Sequence, residues 1–373
     1  MTSSPGTDLS SAFAGKRVLV TGHTGFKGAW LAFWLAELGA EVTGYALAPD
    51  TDRSLFADLR LWQLVESLEG DLRDRAGLQS IVRERRPHVL FHLAAQSLVR
   101  RSYREPVETF EVNVLGTVNL LEAARRAGAP CAIVAVTSDK CYENRETGVP
   151  FVESDPMGGS DPYSASKGAA EIGIAGFRRS FFSPARLAEH GIALASARAG
   201  NVLGFGDWAE DRIVPDAIRA LSAGRPVPVR HPESVRPWQH VLEPLSGYLR
   251  LAAGLLDPAR APDLCEGWNF GPLAANARPV REVVEAVVRR WGSGRWERVE
   301  DPSAVGEAAV LSLSVDKAGR RLDWHPRWDL EETVARTVEG YALGAGAGAS
   351  ALRDLLRRQI ARYLASPPAG VPG

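Results

Sequence analysis

Through the first half of the chain, short apolar runs alternate with segments whose apolar positions recur every three to four residues. The apolar runs, several rich in Val, Ile and Leu, predict strands at 17–21, 41–46, 65–69, 88–93, 131–137 and 192–199. The segments of helical period predict helices at 29–38, 75–85, 106–127 and 162–182. Short strands between amphipathic helices point to an α/β fold, a Rossmann-type doubly wound parallel sheet covered on both faces. Beyond about residue 204 the pattern loosens into clusters of Gly, Pro and charge. The run Gly-Trp-Asn-Phe-Gly at 267–271 still reads as a buried strand, expected to return to the main sheet.

These patterns divide the chain into a disordered tail over 1–14, a Rossmann domain over 15–203 joined by 236–272, and a smaller discontinuous C-terminal substrate lobe. The lobe takes 204–235 and 273–342, with the substrate cleft between lobes. Alternating Gly and Ala at 344–348 read as a linker, followed by a basic helix over about 351–365 and a Pro/Gly tail.

Composition narrows the function classes. With 373 residues, 45% hydrophobic and 24% charged, the chain can bury a large core without metal or disulfide staples. A formal net charge of −1 gives no electrostatic case for nucleic acid or an anionic membrane surface. No apolar run reaches the ~18 residues of a membrane span, and the polar N-terminus lacks an apolar signal core. Cys131, Cys141 and Cys265 fit no zinc spacing and cannot all pair, so no metal site is expected and a reduced, cytoplasmic setting is.

Three clusters carry chemistry. In the first, Thr21-Gly22-His23-Thr24-Gly25-Phe26-Lys27-Gly28 follows a strand and opens a helix, the context of a dinucleotide fingerprint. Gly22 allows the tight turn, Gly25 lets backbone approach a pyrophosphate, and Gly28 lets helix and strand pack closely. The pyrophosphate charge would rest on the free N–H groups of the helix N-terminus. The second cluster is Tyr163 and Lys167, one helical turn apart on one face. An ammonium there would favour the phenolate and suit Tyr163 to act as a base. Third, the strand over 131–137 runs into Ser138, Asp139 and Lys140. A ketoreductase or epimerase needs only a hydroxyl and a tyrosine. A dehydratase must also remove a carbon-bound proton and protonate a departing hydroxyl, work for which Asp139 and Lys140 are suited.

The glycine loop and the Tyr–Lys pair together resemble the short-chain dehydrogenase/reductase superfamily, in its extended, sugar-nucleotide branch. Further runs follow in order: His92-Leu93-Ala94-Ala95-Gln96, Thr137 to Lys140, Asp161 to Lys167, Arg198 to Val202, Gly206 to Arg212 and Arg236 to Val241. Over roughly residues 15 to 340 the chain closely resembles the CDP-glucose 4,6-dehydratase family. The 21–28, 206–212 and 236–241 runs are the specific ones, and Lys140 stands where dTDP-glucose dehydratases carry Glu.

The resemblance implies an internal redox cycle on NAD with CDP-glucose as substrate. Tyr163 takes the 4-hydroxyl proton as hydride leaves C4. The 4-keto group acidifies C5–H, and hydride returns to C6 after water is lost. Lys140 is the candidate base at C5 and Asp139 the candidate acid at C6, with the two roles open to exchange. Ser138, ahead of Thr137, is the residue that hydrogen-bonds the substrate hydroxyl. Lys167 anchors the nicotinamide ribose. Cofactor contacts extend from residues 22–28 to Asp71, Leu72, Leu93, Ala94 and Ala95; substrate contacts include Gln96, Asn201, Arg212, Arg236 and His240. An arginine fork suits a diphosphate, which favours Arg236 for that contact. His92 is expected to be a satisfied core histidine and Asn113 a structural tie. The helices at 106–127 and 162–182 resemble the family's paired helices, implying a homodimer or homotetramer. The second strand carries no acidic tip residue; Asp50, Asp52 and Arg53 come late, so NAD is favoured over NADP by resemblance alone. A different class, a non-catalytic dinucleotide sensor, would need neither Tyr163 nor Lys167.

Overall fold

The computed structural model describes residues 9–272, 274–300 and 311–369. Residues 1–8 of the expected N-terminal tail, residues 273 and 301–310 of the expected substrate lobe, and residues 370–373 of the C-terminal tail lie outside them. A seven-stranded parallel sheet organises the chain. Its strands are β1 (Arg17–Thr21), β2 (Glu41–Ala46), β3 (Glu66–Glu69), β4 (Val89–His92), β5 (Cys131–Val136), β6 (Ile192–Arg198) and β7 (Gly267–Asn269). Their order across the sheet is β7-β6-β5-β4-β1-β2-β3. Every residue of β4, β5 and β6 is buried, as expected of strands covered on both faces. The order reverses between β1 and β4, so the crevice outside their carboxyl ends is where such sheets receive ligands.

The predicted strands appear within two residues of their expected ends, and the 267–271 run supplies β7, paired in parallel with β6. The expected helix over 106–127 is continuous but contains one π-turn, Glu111–Leu115, between Pro106–Phe110 and Gly116–Ala127. At the N-terminus the structure corrects the expected tail. Residues Leu9–Phe13 form a short helix, with Phe13 fully buried and its ring 6.4 Å from that of Phe91 on β4.

Beyond β6 lies a smaller lobe. It contains helices Ile213–Ser222 and Val280–Trp291 and two short strand pairs, Val227–Val229 with Trp296–Arg298 and Val235–Pro237 with Ala277–Pro279. Helix Leu330–Gly344 leads through 345–348 into the last helix, Ala349–Ala365. That helix reaches back to the first Rossmann unit. Arg357 pairs with Glu37 at 2.7 Å, and Arg353 donates to Leu59 O at 2.8 Å. The ring of Tyr363 packs edge-on against Trp34 and Trp328, and its hydroxyl donates to Glu243 at 2.8 Å. Among the described residues, no helix is long and apolar enough to cross a membrane.

Candidate active site

The glycine loop joins β1 to helix Phe26–Glu37. Gly22 sits at φ +78°, where a side chain is strained, and a Cβ there would meet the Ala94 backbone at 2.7 Å. At Gly28 a Cβ would lie 2.0 Å from Gly22 O, so only glycine lets the helix close onto the turn. Gly25 is the N-cap, and no side chain caps the helix. Its first N–H groups are therefore free to receive an anion, and a dinucleotide pyrophosphate fits this cradle. Thr24 donates to Leu47 O at 2.9 Å, fastening the loop to the end of β2. His23 is buried, its Nε2 2.7 Å from Ser67 Oγ on β3, and burial lowers its pKa to about 4. The ring therefore stays neutral at physiological pH.

Behind the loop runs a chain of hydrogen bonds. His92 holds Thr21 Oγ1 through Nδ1 at 2.8 Å and Thr117 Oγ1 through Nε2 at 2.9 Å. Burial, then Lys167, lowers its pKa to about 3, so it is a satisfied neutral core histidine. Asn113 sits in the π-turn. Its Oδ1 accepts from Gln96 N at 2.9 Å, and its Nδ2 donates to Gln96 O at 3.0 Å and Ser166 Oγ at 2.9 Å. The π-turn re-aims this side chain so that one amide ties the 93–98 loop to the helix carrying Tyr163.

That helix, Pro162–Ser180, begins with Pro162 at N1 and with Asp161 accepting Ser164 N–H at the N-cap. Tyr163 and Lys167 are both buried on its inner face. Opposite them, β5 ends in a short 3-10 turn, Asp139–Cys141. Ser138 Oγ donates to Asp139 Oδ1 at 3.0 Å and accepts Lys140 N–H at 3.2 Å. The Tyr163 phenol lies close enough to Ser138 for that hydroxyl to favour its charged form. The carboxylate of Asp139 rests against Gly200, where a Cβ would stand 2.4 Å from Oδ2.

Electrostatics differ from the expectation at one point. Burial pushes the Tyr163 phenol up to about 12, against the pull of the Ser138 hydroxyl and the more distant Arg212. The expected pull of a neighbouring ammonium does not offset that burial, and the Lys167 ammonium is itself desolvated and pressed down to about 8. Burial also raises Asp139, although Lys140, the Ser138 hydrogen bond and Lys27 all favour its charged form. Lys27 is drawn down to about 8 by burial, then by Arg212 and Lys167, while Asp139 opposes. Lys27 and Lys167 therefore hold their protons less tightly, and Asp139 holds its proton more tightly, than the same groups exposed to water.

The structure does not bring every expected residue to this cleft. Gln96 spends its amide on the loop: Nε2 donates to Leu98 O at 3.1 Å and Thr109 Oγ1 at 2.9 Å, and Oε1 accepts Leu98 N at 2.6 Å. With both N–H groups used, its amide braces the loop in this structure. His240 is fully buried, its ring 6.0 Å from that of Trp30 and 4.8 Å from that of Trp328, and is likewise a packing residue. Arg212 does come close. It pairs with Asp207 at 2.9 Å and reaches Ser97 Oγ at 3.4 Å, within the field of Tyr163. Asn201 is exposed and Arg236 half-buried on its short strand. Asp71 is clamped by Arg73 at 2.6 Å beyond β3, and Leu72 beside it is buried; Leu93, Ala94 and Ala95 are half-buried beside the glycine loop. Three contributors carried no clear local signal: Lys27 as a neighbour of Asp139, Gly200 as its backing, and Asp207 as the anchor of Arg212. The Ala-Gly-Asn step after β6 is the sequence cue for Gly200.

Comparison with known proteins identifies the family and the fold. Residues 19–248 match the family described as GDP-mannose 4,6 dehydratase. A CDP-glucose 4,6-dehydratase from Salmonella typhimurium is 50% identical over 325 residues, covering 87% of this chain and 90% of that protein. A dTDP-glucose 4,6-dehydratase from Streptomyces venezuelae, solved with NAD and TYD bound, superposes with TM-score 0.72 at 26% identity, covering 87% of this chain and 97% of its own. The UDP-glucose 4-epimerase of Thermus thermophilus, solved with NAD, gives 0.72 at 28% identity over 87% of this chain and 99% of its own. With residues 19–248 matching that family and half of the aligned residues shared with the Salmonella protein, the chain belongs to the GDP-mannose 4,6 dehydratase family and, within it, to the CDP-glucose 4,6-dehydratases.

Proposed function

We propose that this chain converts CDP-D-glucose to CDP-4-dehydro-6-deoxy-D-glucose by oxidation at C4, loss of water across C5–C6 and return of hydride to C6. The observation that carries the reading is the buried Asp139, with its raised proton affinity, beside Ser138 and Tyr163 at the end of β5. Bound NAD supplies the hydride acceptor for C4 and the hydride donor for C6. Residues 22–28 cradle its pyrophosphate, residues 71–72 and 93–95 line the cleft beside it, and Lys167 holds its ribose. Ser138 orients the 4-hydroxyl, and Tyr163 would accept its proton and return one later once the positive charge of bound nicotinamide offsets the burial that otherwise keeps the phenol protonated. Asp139, a carboxyl that keeps its proton more readily than an exposed one, protonates the leaving C6 hydroxyl. Lys140, half-buried next to it, takes the C5 proton, which the 4-keto group has made acidic. Arg212 and Arg236 receive the diphosphate, and Asn201 lies at the sugar's edge.

The unit over 15–203 with 236–272 takes the cofactor, and 204–235 with 273–342 takes the sugar nucleotide. The exposed apolar side chains Val107, Phe110, Leu115 and Ile172 lie on the helices over 106–127 and Pro162–Ser180. Apolar side chains exposed on these two helices support pairing of two copies, as a homodimer or within a homotetramer. Three free, buried thiols suit a reduced, cytoplasmic setting. Incubation with CDP-, dTDP-, GDP- and UDP-glucose tests the reading. The expected result is a 4-keto product from CDP-glucose with no net consumption of added NAD. Stoichiometric NADH, or a product retaining the C6 hydroxyl, overturns it in favour of a simple dehydrogenase.

A further inference from the structure

Two elements carry the groups assigned above, the β5 end with Ser138, Asp139 and Lys140 and the helix with Tyr163 and Lys167. One buried carboxylate touches both. Glu171 stands one turn beyond Lys167 on the helix and is 3% exposed. Its Oε1 accepts the hydroxyl of Thr137, the residue before Ser138, at 2.5 Å. Its Oε2 accepts Ser196 Oγ and Arg198 Nη2 from β6, each at 2.8 Å. Arg198 is itself walled in. Its Nη1 donates to Tyr142 Oη at 2.6 Å and Glu153 O at 3.0 Å, and Tyr142 Oη donates to Asn269 Oδ1 on β7 at 2.7 Å.

A buried ion pair is a poor source of stability, because desolvating both ions offsets most of their attraction, and apolar replacements often do as well. Position gives this pair a different use. The carboxylate fastens β5 to the catalytic helix at the residue adjacent to the substrate-orienting serine. Residues four apart on a helix are neighbours, so its charge also lies one turn from the Lys167 ammonium.

We propose that Glu171 is a positioning residue for the reaction: it fixes the Ser138 strand end against the Tyr163 helix and supplies the charge that keeps Lys167 an ammonium. The proposal rests on the roles assigned above to Ser138, Tyr163 and Lys167. Lys167 is faced by Cys141 from the turn after β5, by Lys27 from helix Phe26–Glu37 and by neutral His92 from β4, besides Glu171. Burial presses its proton affinity down, and Cys141 and Glu171 are the groups that resist. Glu171 is in turn faced by Thr137, Ser196 and Arg198, with Arg178 and Cys141 in its field.

The test compares Glu171→Gln, Thr137→Val and the double variant Glu171→Gln/Arg198→Met on full-length, NAD-loaded enzyme. Glu171→Gln alone leaves Arg198 buried without a counterion and can fail to fold. The double variant removes both charges and stays testable. Both tether variants are expected to lose about tenfold or more in kcat, with KM for CDP-glucose changed less than threefold, as for small misplacements of catalytic groups. Glu171→Gln should also move the alkaline limb of the kcat–pH profile down by about one unit, the effect of losing one charge a helical turn away, and the double variant, which removes the opposite charge of Arg198 as well, should move it down by less. A purely structural pair predicts recovery in the double variant with the wild-type pH profile, and that result overturns the proposal. Tyr163→Phe, run alongside, separates the two readings. A fully active Tyr163→Phe removes the assigned machinery itself, whereas an inactive one beside a wild-type-like double variant overturns Glu171 alone.

Discussion

Replacing Gly200 by alanine probes how tightly the Asp139 carboxyl must be held. The added Cβ would stand 2.4 Å from Asp139 Oδ2 and 3.1 Å from its Cγ. Ordinary van der Waals contact begins at 3.4 Å, so the carboxylate must retreat by about 1 Å. Its retreat disturbs the 3.0 Å hydrogen bond from Ser138 and carries the acid away from C6. A displacement of about 1 Å at a reacting group can cost on the order of 10²-fold in rate. Overpacking of this kind costs roughly 1–3 kcal/mol of stability, which a domain of this size tolerates. Rapid mixing of NAD-loaded Gly200→Ala with CDP-glucose, followed by nicotinamide absorbance, reports the first hydride transfer. Quenched-flow analysis reports the 6-deoxy product. We expect reduced nicotinamide to form and persist while 6-deoxy product falls about a hundredfold. A folded Gly200→Ala enzyme making product at the wild-type rate would refute both the close packing and the acid role built on it.

Tyr163→Phe should bind NAD normally by fluorescence titration and lose about 10²- to 10⁴-fold in turnover, as expected for a positioned acid–base group; turnover within a few-fold of wild type assigns the tyrosine to packing. Lys140→Ala and Asp139→Asn should each still reduce the nicotinamide but make little 6-deoxy product. Exchange of solvent deuterium into C5 should fall more in the lysine variant, and the opposite order exchanges the two roles. Glu243, buried beneath the last helix, is pushed up to about 7, and its carboxyl meets Trp328 N at 2.8 Å and the Tyr363 hydroxyl at 2.8 Å. A carboxyl raised on folding favours the native state below its unfolded pKa, and that contribution is lost as pH rises through the folded value. Calorimetry should therefore show wild type losing stability relative to Glu243→Gln between about pH 5 and 8, by at most ~3 kcal/mol; parallel curves would exclude Glu243 as the titrating group.

Much of this architecture is legible in local pattern. β1 and β2 begin and end where the apolar runs do, and the three evenly spaced glycines announce the cofactor turn. What escapes is decided by contacts distant in sequence. Leu9 and Phe13 are too few to show a period, and their helix is recognisable only through packing such as that of Phe13 on Phe91. Gln96 and His240 sit in runs shared with sugar-nucleotide enzymes, yet the fold turns the first onto Leu98 and Thr109 and the second between two tryptophans. The Tyr–Lys spacing is read correctly as one helical face. Its electrostatics are not, because burial outweighs the expected charge effect.

The last helix has a consequence for biosynthesis. Arg357 and its partner Glu37 are separated by 320 residues, and Arg353 reaches Leu59 across 294. A ribosome adding about 5–20 residues per second needs on the order of tens of seconds to span that gap. Throughout that interval, helix Phe26–Glu37 has emerged without its closing partner, and the Trp34 surface that later meets Tyr363 is bare. The nascent first half thus exposes apolar surface of the kind that chaperones shield. A stop codon a few dozen residues early leaves every assigned reacting group in place yet deprives the cofactor helix of its cover.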